Sequence, residues 1–262
     1  RPLRRSFDNG DSIMNRQERR KQEKISKKTL KKQNYSMDLQ ILQPWSVPIL
    51  HTSLPPEILD MMIEISDDII ADKESISHGE YLAGQIDTEL IVPKEMLEHR
   101  NVQQFFLELV KKFVLLSKLQ QYPFNTEVVQ SEEYFTQMLS MWVVSQQPNE
   151  YNPIHIHTEC QISSVMYLKV PKFAPTKKNN RDLDDGAITF ISNTSADSEF
   201  SQPSLTLRPV AGSIFIFGAN QMHTVYPYRC DEGDPERRSV SFNAVYETGT
   251  TRKRRLEGDK SL

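Results

Sequence analysis

Residues 152–170 read N-P-I-H-I-H-T-E-C-Q-I-S-S-V-M-Y-L-K-V, two histidines one position apart directly ahead of a strand-like run. A strand returns side chains to one face every second residue, so His155 and His157 at a strand end stand side by side and can grip one ion. A lone His223 comes 66 positions after His157, behind the equally strand-like S-I-F-I-F-G of 213–218. That spacing predicts a metal site assembled across a β-barrel, with a distant strand delivering the third ligand. A bare His-x-His is a weak pattern, because most histidines are solvated or hydrogen-bonded, and this chain has six: His51, His78, His99, His155, His157 and His223. The strands around the pair carry the rest of the reading.

Working outward, strand patterns fill the chain after Gln121: E-E-Y-F-T-Q-M-L-S-M-W-V-V-S (132–145), I-S-S-V-M-Y-L-K-V (162–170), A-I-T-F-I-S (187–192), S-L-T-L-R-P-V (204–210), S-I-F-I-F-G (213–218) and R-S-V-S-F-N-A-V-Y-E (238–247). Short strands separated by Pro, Asn and Gly breaks predict an all-β sandwich or barrel. The segment P-K-F-A-P-T-K-K-N-N-R-D-L-D-D-G (171–186) is too polar for a core and reads as a long surface loop of the type that covers a site. Upstream, I-L-Q-P-W-S-V-P-I-L-H (41–51) is an extended, proline-broken lead-in. Ser53, Pro55, Pro56 and Glu57 then supply helix-start signals, and Ile58, Met61, Ile65 and Ile69 recur at helical spacing. A second helix is predicted from about Lys94 to Leu119, with Val102, Phe105, Phe106, Leu109, Phe113 and Leu116 as its apolar face.

Composition bounds the class. A chain of 262 residues with 37% apolar and 26% charged residues suits one domain plus an extension. No run approaches the roughly 18 to 20 apolar residues that cross a bilayer, and no apolar stretch follows the basic N-terminus as a secretory signal requires. The expected location is the cytoplasm, of a host cell if the protein is viral, with no membrane partner. Cys160 and Cys230 are too few for a disulfide framework and lack C-x-x-C spacing. Cys160 lies close enough to the histidines to be a soft ligand, although a buried thiol is the ordinary state of such a residue.

The net charge of −3 conceals a division, since residues 1–33 carry twelve Lys/Arg against four Asp/Glu and the remainder twenty against thirty-one. We expect a basic arm over 1–38, disordered or helical, that can solubilise the protein or touch nucleic acid. The domain proper is expected over 39–248, with helical support at 54–120 and the β core at 130–248, followed by a basic tail at 249–262.

Past His223 the run Arg237-Arg238-Ser239-Val240-Ser241-Phe242-Asn243 alternates, so Arg237, Ser239, Ser241 and Asn243 share one face. A polar face turned into a barrel needs a reason. Arginine with serine two positions on suits a carboxylate, the guanidinium offering a bidentate fork and the hydroxyl one more hydrogen bond.

Taken in order, W-V-V-S, N-P-I-H-I-H, S-S-V-M-Y-L-K-V-P, D-G-A-I-T-F, R-P-V-A-G-S-I-F-I-F-G, H-T-V-Y-P and R-R-S-V-S-F-N resemble the Fe(II)- and 2-oxoglutarate-dependent oxygenases over roughly residues 134–246. The likeness is to the phage and bacterial branch near the prolyl-hydroxylase-like enzymes. It implies a mainly β fold with flanking helices around a double-stranded β-helix (a jelly-roll, cupin-like core), Fe(II) at its mouth, and 2-oxoglutarate and O2 as cosubstrates. It implies His155 and His223 as iron ligands, and Arg237 with Ser239, helped by Tyr167, as the holders of the 2-oxoglutarate carboxylate. The family places Asp or Glu two residues after the first histidine, whereas this chain has His157 there. Two registers therefore stay open: His155, His157 and His223, or His157, Glu159 and His223.

The expected activity is hydroxylation of a C–H bond, of a peptidyl residue such as proline, with succinate and carbon dioxide as co-products. Two alternatives are a nucleobase-acting oxygenase, with Tyr151, Tyr226 and Tyr228 as candidate stacking residues, and a cupin-like metal protein that uses no oxo-acid. Arg237-x-Ser239 speaks against the last, which needs no carboxylate clamp.

Overall fold

The computed structural model describes residues 47–99, 102–174, 185–192, 202–231 and 233–258, all within the unit Trp45–Leu262. The basic arm and most of the polar 171–186 loop lie outside the described residues. Among the described residues ten strands pair antiparallel into two sheets: β1 Ile49–Ser53, β2 Thr88–Ile91, β3 Tyr134–Gln146, β4 Asn152–His155, β5 Ile162–Lys169, β6 Ile188–Ile191, β7 Ser204–Leu207, β8 Ser213–Gly218, β9 His223–Val225 and β10 Arg237–Thr248. The larger sheet runs β1-β8-β5-β10-β3-β2 and the smaller β4-β9-β6-β7, the two layers of a jelly roll.

Strand alternation builds two cores from the larger sheet. In β8, Ile214 and Ile216 point one way and Phe215 and Phe217 the other; in β5, Met166 and Leu168 oppose Val165 and Tyr167. The first set packs on the helices α1 Pro56–Ala71 and α3 Gln103–Gln121, while the second meets Ile188, Phe190 and Val225 of the smaller sheet. Buried on both faces, these central strands read as continuous apolar runs, and the inter-sheet space ends at the mouth where the histidines stand.

The helices depart from expectation in detail. The predicted helix from Lys94 is two, α2 Lys94–His99 and α3, with Val102 as the cap residue between them. Burying Val102, Phe106, Val110 and Phe113 at spacings of four, four and three turns α3 so that Leu116, expected in the core, is exposed. In α1 it is Met62 that is fully buried, with Met61 packed at the core's edge. A further short helix, α4 Thr126–Ser131, leads into β3. The basic stretch expected as a tail holds a helix, α5 Gly249–Leu256, capped by the Thr248 side chain and tied back by Arg255 to Glu247 at 2.9 Å. No helix among the described residues is long and apolar enough to cross a membrane.

Arg238, on the helix side of β10, shows why that strand is fixed in register. Its Nε and Nη2 donate to the two oxygens of Glu236 at 2.7 and 2.8 Å, and its Nη1 reaches Ser66 at 3.0 Å and also Asp67 of α1. Arg238→Ala strands the largely buried Glu236 carboxylate. We expect a loss of roughly 2–3 kcal/mol in a denaturant midpoint, less than for a fully buried pair because half of Asp67 is in water.

Candidate metal and cosubstrate site

His155 ends β4 and His223 begins β9, and the two are direct cross-strand partners. His157 follows two residues beyond, its backbone N–H donating to the Ala219 carbonyl at 2.9 Å. The ring centroids of His155 and His223 are 4.2 Å apart, those of His157 and His223 5.2 Å, and those of His155 and His157 5.4 Å. One ring nitrogen from each lies within 4.8 Å of the others, the only such group among the described residues. Glu159 and Cys160 line the same cavity but are outside this converging set. Glu159 is exposed and sits in the left-handed region at φ 60°.

Protonation suits a cation here. The Nδ1 of His155 lies 2.7 Å from the Pro153 carbonyl and that of His223 2.9 Å from the Gln221 carbonyl. A carbonyl oxygen only accepts, so each Nδ1 carries the hydrogen and each Nε2 keeps its lone pair. Burial, then mutual repulsion, pulls His157 down to about 4 and His223 to about 3, and burial also lowers His155. All three are neutral near pH 7, the state a metal ligand requires.

Behind the histidines, Arg237, Ser239, Ser241 and Asn243 all line a cavity of about 570 Å³, a volume suited to a small cosubstrate and part of a larger substrate. The alternation read from β10 is thus the one observed. Arg237 is 1% exposed, and its Nη1 donates to the Gly186 carbonyl at 2.6 Å, but its Nε has no partner. Among the described residues no carboxylate pairs with it. The hydroxyl of Tyr167, fully buried and raised in pKa by that burial, is likewise without a partner. Tyr167 and Ser239 are cross-strand neighbours, and the guanidinium lies 5.4 Å from the Tyr167 ring centre. A buried, unpaired guanidinium costs several kcal/mol, so a site that keeps one beside an orphaned phenol fits a ligand carboxylate that satisfies both.

Gly186 holds Arg237 from behind through that carbonyl. It sits at φ 64°, and a Cβ there would come within 2.7 Å of the Phe173 ring. Gly186→Ala should therefore displace the carbonyl that steadies Arg237. We expect a several-fold weaker cosubstrate affinity together with a stability loss of about 1–2 kcal/mol, read by ligand titration and thermal melting.

Of the candidate stacking tyrosines, none of Tyr151, Tyr226 and Tyr228 lines the cavity. Tyr228 is structural: its oxygen lies 2.6 Å from both the Gln146 and Pro235 carbonyls and accepts from the Arg237 N–H at 3.0 Å. Sequence reasoning missed the residues that do line the outer cavity, among them His78, Tyr81, Glu89 and Trp142. Only Trp142, in W-V-V-S, lay inside a motif singled out from the sequence.

Residues 140–243 match the family model described as "Putative 2OG-Fe(II) oxygenase", a span that holds all three histidines and the arginine. Over that stretch the chain is similar to the Fe(II)- and 2-oxoglutarate-dependent oxygenases, and the three converging histidines fall inside it. The chain is also similar to solved structures of prolyl hydroxylases. One is a prolyl-4-hydroxylase from Pseudomonas putida, 15% identical, covering 76% of this chain and 93% of that one at a TM-score of 0.44. A second, from Trichoplax adhaerens in complex with a hypoxia inducible factor peptide, is 12% identical, with coverages of 95% and 100% and a TM-score of 0.47. A viral collagen prolyl hydroxylase from Paramecium Bursaria Chlorella virus-1 is 12% identical, with coverages of 75% and 94% and a TM-score of 0.42. No curated protein matches the sequence.

Proposed function

We propose that His155, His157 and His223 hold Fe(II), that Arg237, Ser239 and Tyr167 hold the far carboxylate of 2-oxoglutarate, and that the substrate is a polypeptide hydroxylated at a residue such as proline. The observation that carries the cosubstrate reading is the buried Arg237 with its unpartnered Nε beside the unpartnered Tyr167 hydroxyl. When bound, the iron couples oxidative decarboxylation of 2-oxoglutarate to hydroxylation of a substrate C–H bond. The chain's own share is orientation and exclusion of water. Pro153 and Gln221 aim two of the rings, while the aromatic packing of Phe190 and Phe217 about His223 keeps that side dry.

A polypeptide substrate is supported by the mouth. Tyr81, Leu139 and Ile156 line the cavity yet are 76%, 45% and 47% exposed, an open apolar rim across which an extended chain can lie. The nucleobase alternative loses support because its three candidate tyrosines stand away from the cavity.

Anaerobic titration with Fe(II) and then 2-oxoglutarate tests the reading. The weak visible charge-transfer band of the chelate should appear, and oxygen should then yield succinate and a peptide with one added oxygen atom. Absence of both band and succinate would overturn it.

A further inference from the structure

Glu89 is the strongest unexplained group outside the metal and clamp residues. It lies on β2, is 2% exposed, lines the same cavity, and its Oε2 has no hydrogen-bond partner. Among the described residues no Lys or Arg pairs with it. The backbone makes room for it: a Cβ on Gly84 would come within 2.8 Å of its Oε1, so an alanine at 84 would displace the carboxyl.

Register places this carboxyl relative to the clamp. Glu89 pairs with Val144, Val144 with Ser239, and Ser239 with Tyr167, so one row crosses four neighbouring strands on one face. Strands are spaced by about 4.8 Å, which puts Glu89 roughly 10 Å from Ser239 along the row. The arginine end of the cavity is matched to an anion, and the other end presents an acid. A run of aromatic rings lines the same cavity: His78 is 5.7 Å from Tyr81 and 5.3 Å from Trp142 between ring centres, and Trp142 is 6.0 Å from His157. A buried carboxyl without a counter-charge, in a cavity that aromatic rings also line, is the chemistry that receives an organic cation.

We infer that Glu89 determines substrate specificity by receiving a cationic nitrogen, the ammonium or guanidinium of a basic side chain in the polypeptide substrate. The inference rests on the polypeptide reading above and narrows it to segments that carry Lys or Arg at or beside the hydroxylated residue. Burial, and secondarily the Glu150 carboxylate, push Glu89 up to about 7, as happens to an acid without its counter-charge. A bound cation would restore its ionised form.

The test uses the full chain loaded anaerobically with Fe(II) and 2-oxoglutarate, and four capped peptides Ala-Pro-X-Pro-Ala with X as Lys, Arg, Gln or Leu. Calorimetry should show the Lys or Arg peptide binding roughly 10- to 100-fold more tightly than the Gln peptide. In Glu89→Gln that preference should collapse, with the chelate band unchanged and the melting temperature not lowered. Glu89→Asp, which keeps the charge on a shorter stem, should retain part of it. No preference for a basic peptide in the parent, including no binding of any of the four, would overturn the inference, as would a preference that survives in Glu89→Gln. An intact chelate band with no basic preference defeats this inference alone, whereas a missing band defeats the oxygenase reading.

Discussion

Arg237→Ala should lose 2-oxoglutarate affinity by about 100-fold or more while binding metal as tightly as the parent. Charge-assisted hydrogen bonds to a desolvated carboxylate contribute roughly 1.5–3 kcal/mol each, and the fork of a guanidinium supplies two. The position is 1% exposed, so the lost donors lie where bulk water has little access. A second readout gives the opposite sign. Without ligand, Arg237 is a buried charge lacking a carboxylate partner among the described residues, so the ligand-free variant should melt at or above the parent's temperature. Arg237→Lys should fall between, keeping the charge and losing the fork. Isothermal titration with the oxo-acid and a melt of the ligand-free protein check both. A variant that melts lower and still binds 2-oxoglutarate would make Arg237 a structural residue.

His223→Ala and His157→Ala should each weaken metal binding by more than about 100-fold, because removing even a partner that only orients a ligand costs 10- to 100-fold. Glu159→Ala should leave affinity unchanged. The contrast separates the two registers: His157 points its ring at the same space as His155 and His223, whereas Glu159 is exposed in a left-handed turn beyond them. Dialysis against Fe(II) or Co(II) followed by metal analysis reads the result without turnover. Metal retained in His157→Ala and lost in Glu159→Ala would place the acid in the coordination set. All three rings are depressed below the usual histidine range, so proton competition for the metal should set in at a lower pH than for exposed histidines.

Period-two patterning made the jelly-roll core legible. Six of the ten strands among the described residues, the polar face of β10 and the convergence of three histidines are visible in residues that alternate or sit at strand ends. What stayed hidden has a common cause. β2, β4 and β9 are three or four residues long, and their pairing is decided by distant partners rather than by local propensity. Glu89 escaped notice because burial of a lone acid in T-E-L-I is a tertiary fact with no local pattern. The same holds for the split between α2 and α3, where burying Val102 overrides a stretch that scans as one helix.

Two adjacent arginines face opposite ways on β10, one toward the cavity and one toward α1. In genetic terms, a one-codon deletion in the turn before β10 would leave an arginine facing the cavity, since Arg238 would shift into the place of Arg237. The hydroxyl at the next inward position would be replaced by Val240, and the ion pairs to α1 would be lost. Inward guanidinium is therefore buffered against a frame-preserving slip where the serine is not, so a homologue with a length change here is better judged by its serine than by its arginine.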